Sequence, residues 1–389
     1  MAGFVMLIRM IRHLFICAAA CFCAPAFAGE LQRYAPSRPY EVPAIREPDC
    51  GAPVANVIYM IGDGMGLNQV GIAWAANRGR LFIENCPVIG VSATWCADRL
   101  VTDSAAAGTA LATGEKTLYR RISMTPDGKE LSSLADKAAD LGKSTGLVVT
   151  CELNDATPAA FFAHSPVRSE AHLISGQLPG SRFEFVFGGG GRHFTGRPDG
   201  RDIFREMADR GYQVARSWAE AAELPAGKTL CVADAGNLPR PEERGDALRL
   251  AAMKAIDVLS RNPKGFFLMI EGSKIDKAAH GNKLDEMVEE TLDFDRAVGA
   301  VLEWASRHPG TLVVVTADHC TGGAALLDGS LEKGEVAVSF STKGHDGVTV
   351  PVYAFGAGSR AFSGFYDNTE VARKIGKAME EASARTRAN

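Results

Sequence analysis

Six short runs rich in Val, Ile, Leu and Phe, with no regular polar alternation, constrain this chain more than any other feature. They fall at Val54 to Ile61, Thr145 to Thr150, Phe183 to Phe187, Phe266 to Ile270, Thr311 to Thr316 and Val348 to Phe355. A strand that alternates apolar and polar residues wets one face. A strand without alternation is covered on both, as parallel strands flanked by helices are. Between the runs the period becomes helical: Leu131, Leu134, Ala135, Ala138 and Leu141 share one face, as do Leu284, Met287, Val288, Thr291, Leu292, Val298, Val301 and Leu302. Strand and helix alternate, so the expected class is α/β, a mostly parallel central sheet with helices on both faces.

Glycines punctuate the pattern, as in Gly62-Asp63-Gly64-Met65-Gly66 after the first run and Gly188 to Gly191 after the third. Their spacing does not match the G-x-G-x-x-G of a dinucleotide site. The segment from Ser169 to Arg244 mixes short helices with Pro and Gly and reads as a peripheral layer without assignable chemistry. Ala378 to Asn389 reads as a helix with a frayed end.

The first residues read as an export signal: Arg9 and Arg12 form the positive region, Leu14 to Cys23 the apolar run, and Ala26-Phe27-Ala28 the cleavage pattern. The run is shorter than the roughly 20 residues of a spanning helix, and no later segment is long enough. A signal peptide at 1–28 and a single domain at 29–389 are expected, periplasmic or secreted, without a stable membrane anchor. Cys50, Cys86, Cys96, Cys151, Cys231 and Cys320 follow the signal, an even set in which Cys86 and Cys96 are the nearest and favoured disulfide pair. A hydrophobic share of 46% can bury a large core, while a net charge of −4 argues against nucleic acid as a specific partner.

Four expected strands end in groups that could hold a metal: Asp63, Thr157 a few residues on, Glu271, and Asp318-His319. Ligands of open α/β sheets bind beyond the carboxyl ends of the strands. One polar strand end is ordinary; four on one edge suggest a site. Asp276 and His280 would share a helix face, as ligands of one ion or as a surface pair. His345, in Lys343-Gly344-His345-Asp346-Gly347, could equally be a loop residue. His308 reads as a helix C-terminal cap, and His13, His164, His172 and His193 lack a carboxylate at ligand spacing. Ser104, in Val101-Thr102-Asp103-Ser104-Ala105-Ala106-Ala107-Gly108, reads as the N-cap of a tightly packed helix. Such a helix start offers free N–H groups and a positive dipole end to a phosphate.

In order, Met60-Ile61-Gly62-Asp63-Gly64-Met65-Gly66, Thr102-Asp103-Ser104-Ala105, Asp155-Ala156-Thr157-Pro158-Ala159-Ala160 followed by Arg168, Glu271 to His280, Thr316-Ala317-Asp318-His319, and His345 resemble the motifs of the alkaline phosphatase family. The resemblance spans roughly Val54 to Gly358. It implies a catalytic Ser104 and Arg168, one zinc on Asp276, His280 and His345, a second on Asp63, Asp318 and His319, and magnesium on Asp63, Thr157 and Glu271. Asp155 and Lys277 stand where some bacterial members carry an acid and a lysine beside the metals, and Asp103 flanks the nucleophile. Two zinc ions and one magnesium ion per chain are therefore expected, at ligands that cobalt or iron could also use. Three divalent ions against Asp63, Glu271, Asp276 and Asp318 leave a net positive charge for a monoester dianion.

The implied reaction is hydrolysis of small phosphate monoesters. Ser104, deprotonated against the zinc on Asp63, would attack phosphorus to give a phosphoserine, while the zinc on His345 stabilises the departing alkoxide and later activates water. Arg168 would offer a planar fork to two phosphate oxygens. The rivals are a phosphodiesterase or sulfatase of the same superfamily, or an inactive phosphate- or metal-binding relative. Such diesterases commonly use a threonine nucleophile and lack the magnesium site, whereas Ser104, Thr157 and Glu271 supply both features, and no matched position is lost. Only 25 residues separate His319 from His345, short for the family, so the contacts of a possible homodimer stay open. Cys320 departs from the family pattern and is expected to point away from the site.

Overall fold

The computed structural model describes residues 30–388, and the expected signal at 1–28 lies outside them. The strands are β1 (Gln32–Tyr34), β2 (Asn56–Gly62), β3 (Val88–Ala93), β4 (Ser144–Glu152), β5 (Phe185–Gly189), β6 (Gln213–Ala215), β7 (Thr229–Val232), β8 (Phe266–Gly272), β9 (Thr311–Thr316), β10 (Cys320–Thr321), β11 (Ala324–Ser330), β12 (Glu335–Phe340), β13 (His345–Asp346), β14 (Val350–Gly356) and β15 (Gly364–Asp367). The main sheet has ten strands in the order β15-β3-β14-β9-β2-β8-β4-β5-β7-β6. Strands β1, β12 and β11 form a small separate sheet, and β10 pairs with β13.

Each expected apolar run forms a strand of the main sheet, with ends moved by a few residues because ladder pairing, not hydrophobicity, terminates a strand. Successive residues face opposite cores even where all are apolar: Ile58 and Met60 pack on one side, Val57, Tyr59 and Ile61 on the other. Each fully buried side chain of this size contributes roughly 1.5–3 kcal/mol, which drives such strands to the middle of the sheet. The helices Ala247–Leu259 and Leu284–Ser306 cover the first face; Ser104–Thr113, Leu134–Asp140 and Thr369–Ala388 cover the second.

Several expectations are corrected. Val350–Gly356 is antiparallel to both β3 and β9, the exception in an otherwise parallel sheet. The chain leaves β9 at its carboxyl end, makes β10 to β13 there, and re-enters from the same edge, so β14 must run the other way. Ser169 to Arg244, expected as a peripheral layer, is part of the main sheet and supplies β5, β7 and β6 at one end of it. Leu131 lies before the helix Leu134–Asp140, which Ser133 caps. All six cysteines of the described residues are free thiols, so Cys86 and Cys96 do not pair. The six extended residues of β3 run between them and span roughly 20 Å, against the roughly 6 Å Cα separation that a disulfide bridges. Among the described residues no helix is long and apolar enough to cross a membrane.

Candidate active site

Strands β9, β2, β8 and β4 are consecutive neighbours; Asp318-His319, Asp63 and Thr157 follow the carboxyl ends of β9, β2 and β4, and Glu271 is the penultimate residue of β8. Parallel pairing puts these ends on one edge: Ile61 lies opposite Glu271 and Thr316, and the Asp63 N–H donates to the Gly272 carbonyl at 3.3 Å. The Gly64 N–H donates to Asp318 Oδ1 at 3.0 Å, tying the end of β2 to the end of β9.

The helix Lys274–His280 begins directly after β8 and places Asp276 Oδ1 3.3 Å from His280 Nε2. The β10–β13 pair sets His345 opposite Thr321. His345 Nε2 thereby comes to 3.1 Å from His280 Nε2 and 3.6 Å from Asp276 Oδ1. These three residues form one metal-sized group; Asp63, Asp276 and His319 form a second. His319 Nε2 lies 3.0 Å from Asp318 Oδ2 and 3.7 Å from Asp63 Oδ1, so Asp318 joins the second group.

Ser104 is the first residue of the helix Ser104–Thr113, and the cap is Asp103 instead of the serine. Asp103 Oδ1 accepts from the N–H groups of Ala106 at 3.2 Å and Arg120 at 3.0 Å. That frees the Ser104 hydroxyl, which lies 3.2 Å from His319 Nε2. Gly108 of the same helix is required by close approach: a Cβ there would lie 3.2 Å from Thr157 Cα. The serine helix and the short helix Ala156–Ala159 are therefore in backbone contact.

Arg168 donates to Asp103 Oδ2 and to Asp155 Oδ1, each at 3.1 Å, and Lys277 Nζ donates to Asp155 Oδ2 at 2.6 Å. Asp155 thus holds both cations of the site. Burial opposes its charge, yet Lys277 and Arg168 outweigh it and hold the carboxyl below the ordinary carboxylate range.

The donor set fits bound cations. Asp63 Oδ1, Thr157 Oγ1, Glu271 Oε1 and Asp318 Oδ2 are buried without hydrogen-bond partners. Each would cost about 1–3 kcal/mol if it stayed unpaired. Burial, then the charges of Asp318, Asp276 and Glu271, push the Asp63 carboxyl well above its usual range, and burial pushes Glu271 up to about 8. The histidines add a geometric argument. His280 Nδ1 faces the Lys343 carbonyl at 2.5 Å and His345 Nδ1 the Thr102 carbonyl at 2.8 Å. A carbonyl only accepts, so each Nδ1 carries a proton and, in the neutral rings, each Nε2 presents a lone pair. Two lone pairs cannot hydrogen-bond to one another; a cation between them satisfies both.

The contacts above link Ser104, Asp103, Arg168, Asp155, Lys277, Asp63, Asp276, His280, Asp318, His319 and His345; Glu271 lies opposite Ile61 in the sheet, and Thr157 is placed by its contact with the serine helix. The Thr102 and Lys343 carbonyls, Gln69 and Thr321 were not anticipated. Thr321 was within reach of a period-two reading, because extended chain turns residues 319 and 321 to one side and Cys320 to the other. Cys320 Sγ accordingly packs on Gly66 and Gln69, 3.5 Å from Gln69 Oε1. His193, set aside earlier, meets Glu152 at 3.2 Å outside this group, and His308 caps its helix on the Trp304 carbonyl at 2.6 Å.

The alkaline phosphatase family model matches residues 54–338. Alkaline phosphatase 4 of Bacillus subtilis (strain 168) is 37% identical over 293 residues, which cover 71% of this chain and 63% of that protein. Alkaline phosphatase 3 of the same organism is 30% identical over 413 residues, covering 84% and 89%. A substituted form of the alkaline phosphatase from the Antarctic bacterium TAB5, solved with magnesium in its M3 site, superposes with a TM-score of 0.79 at 33% identity, covering 85% of this chain and 99% of that one.

Proposed function

This chain belongs to the alkaline phosphatase family, and from that premise we propose that it hydrolyses small phosphate monoesters through a phosphoserine on Ser104, at a site for two zinc ions and one magnesium ion. The observation that carries the reading is the Ser104 hydroxyl, released from capping by Asp103 and 3.2 Å from His319 Nε2. It stands at the start of a helix, and the same His319 nitrogen lies within 3.7 Å of the unpartnered oxygens of Asp63 and Asp318.

In this reading Asp276, His280 and His345 hold one zinc, Asp63, Asp318 and His319 the other, and Asp63, Thr157 and Glu271 the magnesium; that a substituted form of the TAB5 enzyme binds magnesium supports magnesium as one of the ions. Bound there, the ions would supply concentrated positive charge that favours a serine alkoxide and a charged leaving oxygen. The protein contributes position. The helix from Ser104 directs its free N–H groups and positive dipole end toward the phosphate. Arg168 has five N–H donors, of which Asp103 and Asp155 engage two, so the rest of the fork can bind phosphate oxygens. Asp103 and Asp155 fix the plane of that fork before substrate arrives. Export through a signal at 1–28 to the periplasm or medium, a single catalytic domain at 29–389 and a homodimer are parts of the same proposal.

The test is an acid quench of the purified, metal-analysed enzyme on a labelled aryl phosphate monoester, followed by peptide mapping. Label on Ser104, absent in Ser104→Ala although its metals remain, is expected. A higher rate on the matching diester or sulfate ester, or label on another residue, overturns the proposal.

A further inference from the structure

Thr321 is fully buried where the two ligand sets meet. Its hydroxyl donates to Asp276 Oδ1 at 2.6 Å and lies 3.2 Å from His319 Nδ1. Its carbonyl accepts from Gln69 Nε2 at 2.7 Å, and its backbone is the register partner of His345. One residue therefore touches a member of each set and is paired in the ladder with a third ligand.

We infer that Thr321 is a positioning residue that holds His319 as its Nδ1–H tautomer and couples the two zinc sites through Asp276. The inference rests on the metal-ligand assignment proposed above. A hydroxyl has one proton, and the Asp276 carboxylate can only accept, so the Thr321 proton is committed to Asp276. The Thr321 oxygen can then only accept from His319. Nδ1 of His319 must carry a proton, and in the neutral ring that leaves the Nε2 lone pair facing Asp63, Asp318 and Ser104. His280 and His345 reach the same tautomer against backbone carbonyls. His319 alone depends on a side chain that also holds a ligand of the other set.

The loop after β2 closes on this pair. A Cβ on Gly64, whose φ is +68°, would lie 2.8 Å from Thr321 Oγ1 and 3.0 Å from Asp276 Cα, so glycine is required there by both conformation and space. With Gln69 bonded to the Thr321 carbonyl, the hydroxyl has little freedom to seek other partners.

Thr321→Val keeps the shape and removes both hydrogen bonds; Thr321→Ser keeps the hydroxyl. Zinc affinity at both sites, measured by chelator competition, should fall about 10–100-fold in the valine variant and return to within a few fold in the serine variant. Nitrogen-15 NMR of the metal-free wild type at alkaline pH should report His319 protonated at Nδ1, a result that does not depend on the variants folding. Unchanged zinc affinity in Thr321→Val, equal loss in Thr321→Ser, or a His319 protonated at Nε2 would overturn the inference. A wild type that binds no zinc would instead bring down the metal assignment beneath it.

Discussion

The Lys277 ammonium lies 2.6 Å from Oδ2 of Asp155, closing an ion pair across 122 positions of sequence. The other oxygen of Asp155 holds Arg168 at 3.1 Å, so one carboxylate orients both cations. Lys277→Ala should weaken product inhibition by inorganic phosphate about tenfold, the value of one charge-assisted hydrogen bond, while phosphoserine still forms. Asp155→Ala should loosen Arg168 as well and weaken activation by magnesium. Inhibition constants and magnesium titrations of the two variants check this. Unchanged values in both would reduce the pair to an ordinary ion pair worth about 0–1 kcal/mol.

Removal of metal should abolish turnover, with zinc restoring most of it and magnesium adding more. His280→Ala or His345→Ala should each lose one zinc per chain by elemental analysis, because each removes one lone pair from a group that shares Asp276. Full activity after exhaustive chelation would contradict the site; restoration by cobalt or iron alone would keep the ligands and change the ions.

Gly108→Val should destabilise the fold by about 1–3 kcal/mol and reduce activation by magnesium, since the added side chain pushes the serine helix away from Thr157. Urea unfolding and a magnesium titration measure the two effects. A stable variant with normal magnesium response would show that the helix contact does not position Thr157.

Lys143 is buried and donates to the carbonyls of Ala55 at 2.7 Å and Lys264 at 2.8 Å. Burial alone pushes its ammonium down to about 8, and a neutral amine still has an N–H for each carbonyl. Between about 8 and the roughly 10.4 of an unfolded lysine, the unfolded chain binds a proton that the folded chain does not, so stability should rise with pH. The rise is at most about 3 kcal/mol from this group. Urea midpoints at pH 8 and pH 10 should differ more in the wild type than in Lys143→Met; equal differences would rule the group out.

What the sequence determined by itself were the properties that reside in short stretches of chain. Runs such as Thr311 to Thr316 declare burial on both faces, and that burial is reason enough for the sheet. Asp63, Glu271 and Asp318-His319 declare metal-binding chemistry at strand ends. Asp276 and His280 declare a shared helix face, and the ordered motifs declare the family. Direction and partnership were decided only in three dimensions. Apolarity reports that β14 is covered, not which way it runs, and the even cysteine count could not reveal that β3 holds Cys86 and Cys96 apart. The cap on Asp103, the grip of Asp155 on two cations and the bridge through Thr321 join residues by orientation, and the Ser104–His319 contact spans 215 positions. Such contacts cost chain entropy that local interactions cannot offset. They form because packing of the whole sheet brings the carboxyl ends of β9, β2, β8 and β4 to one edge, where side-chain direction then selects each partner.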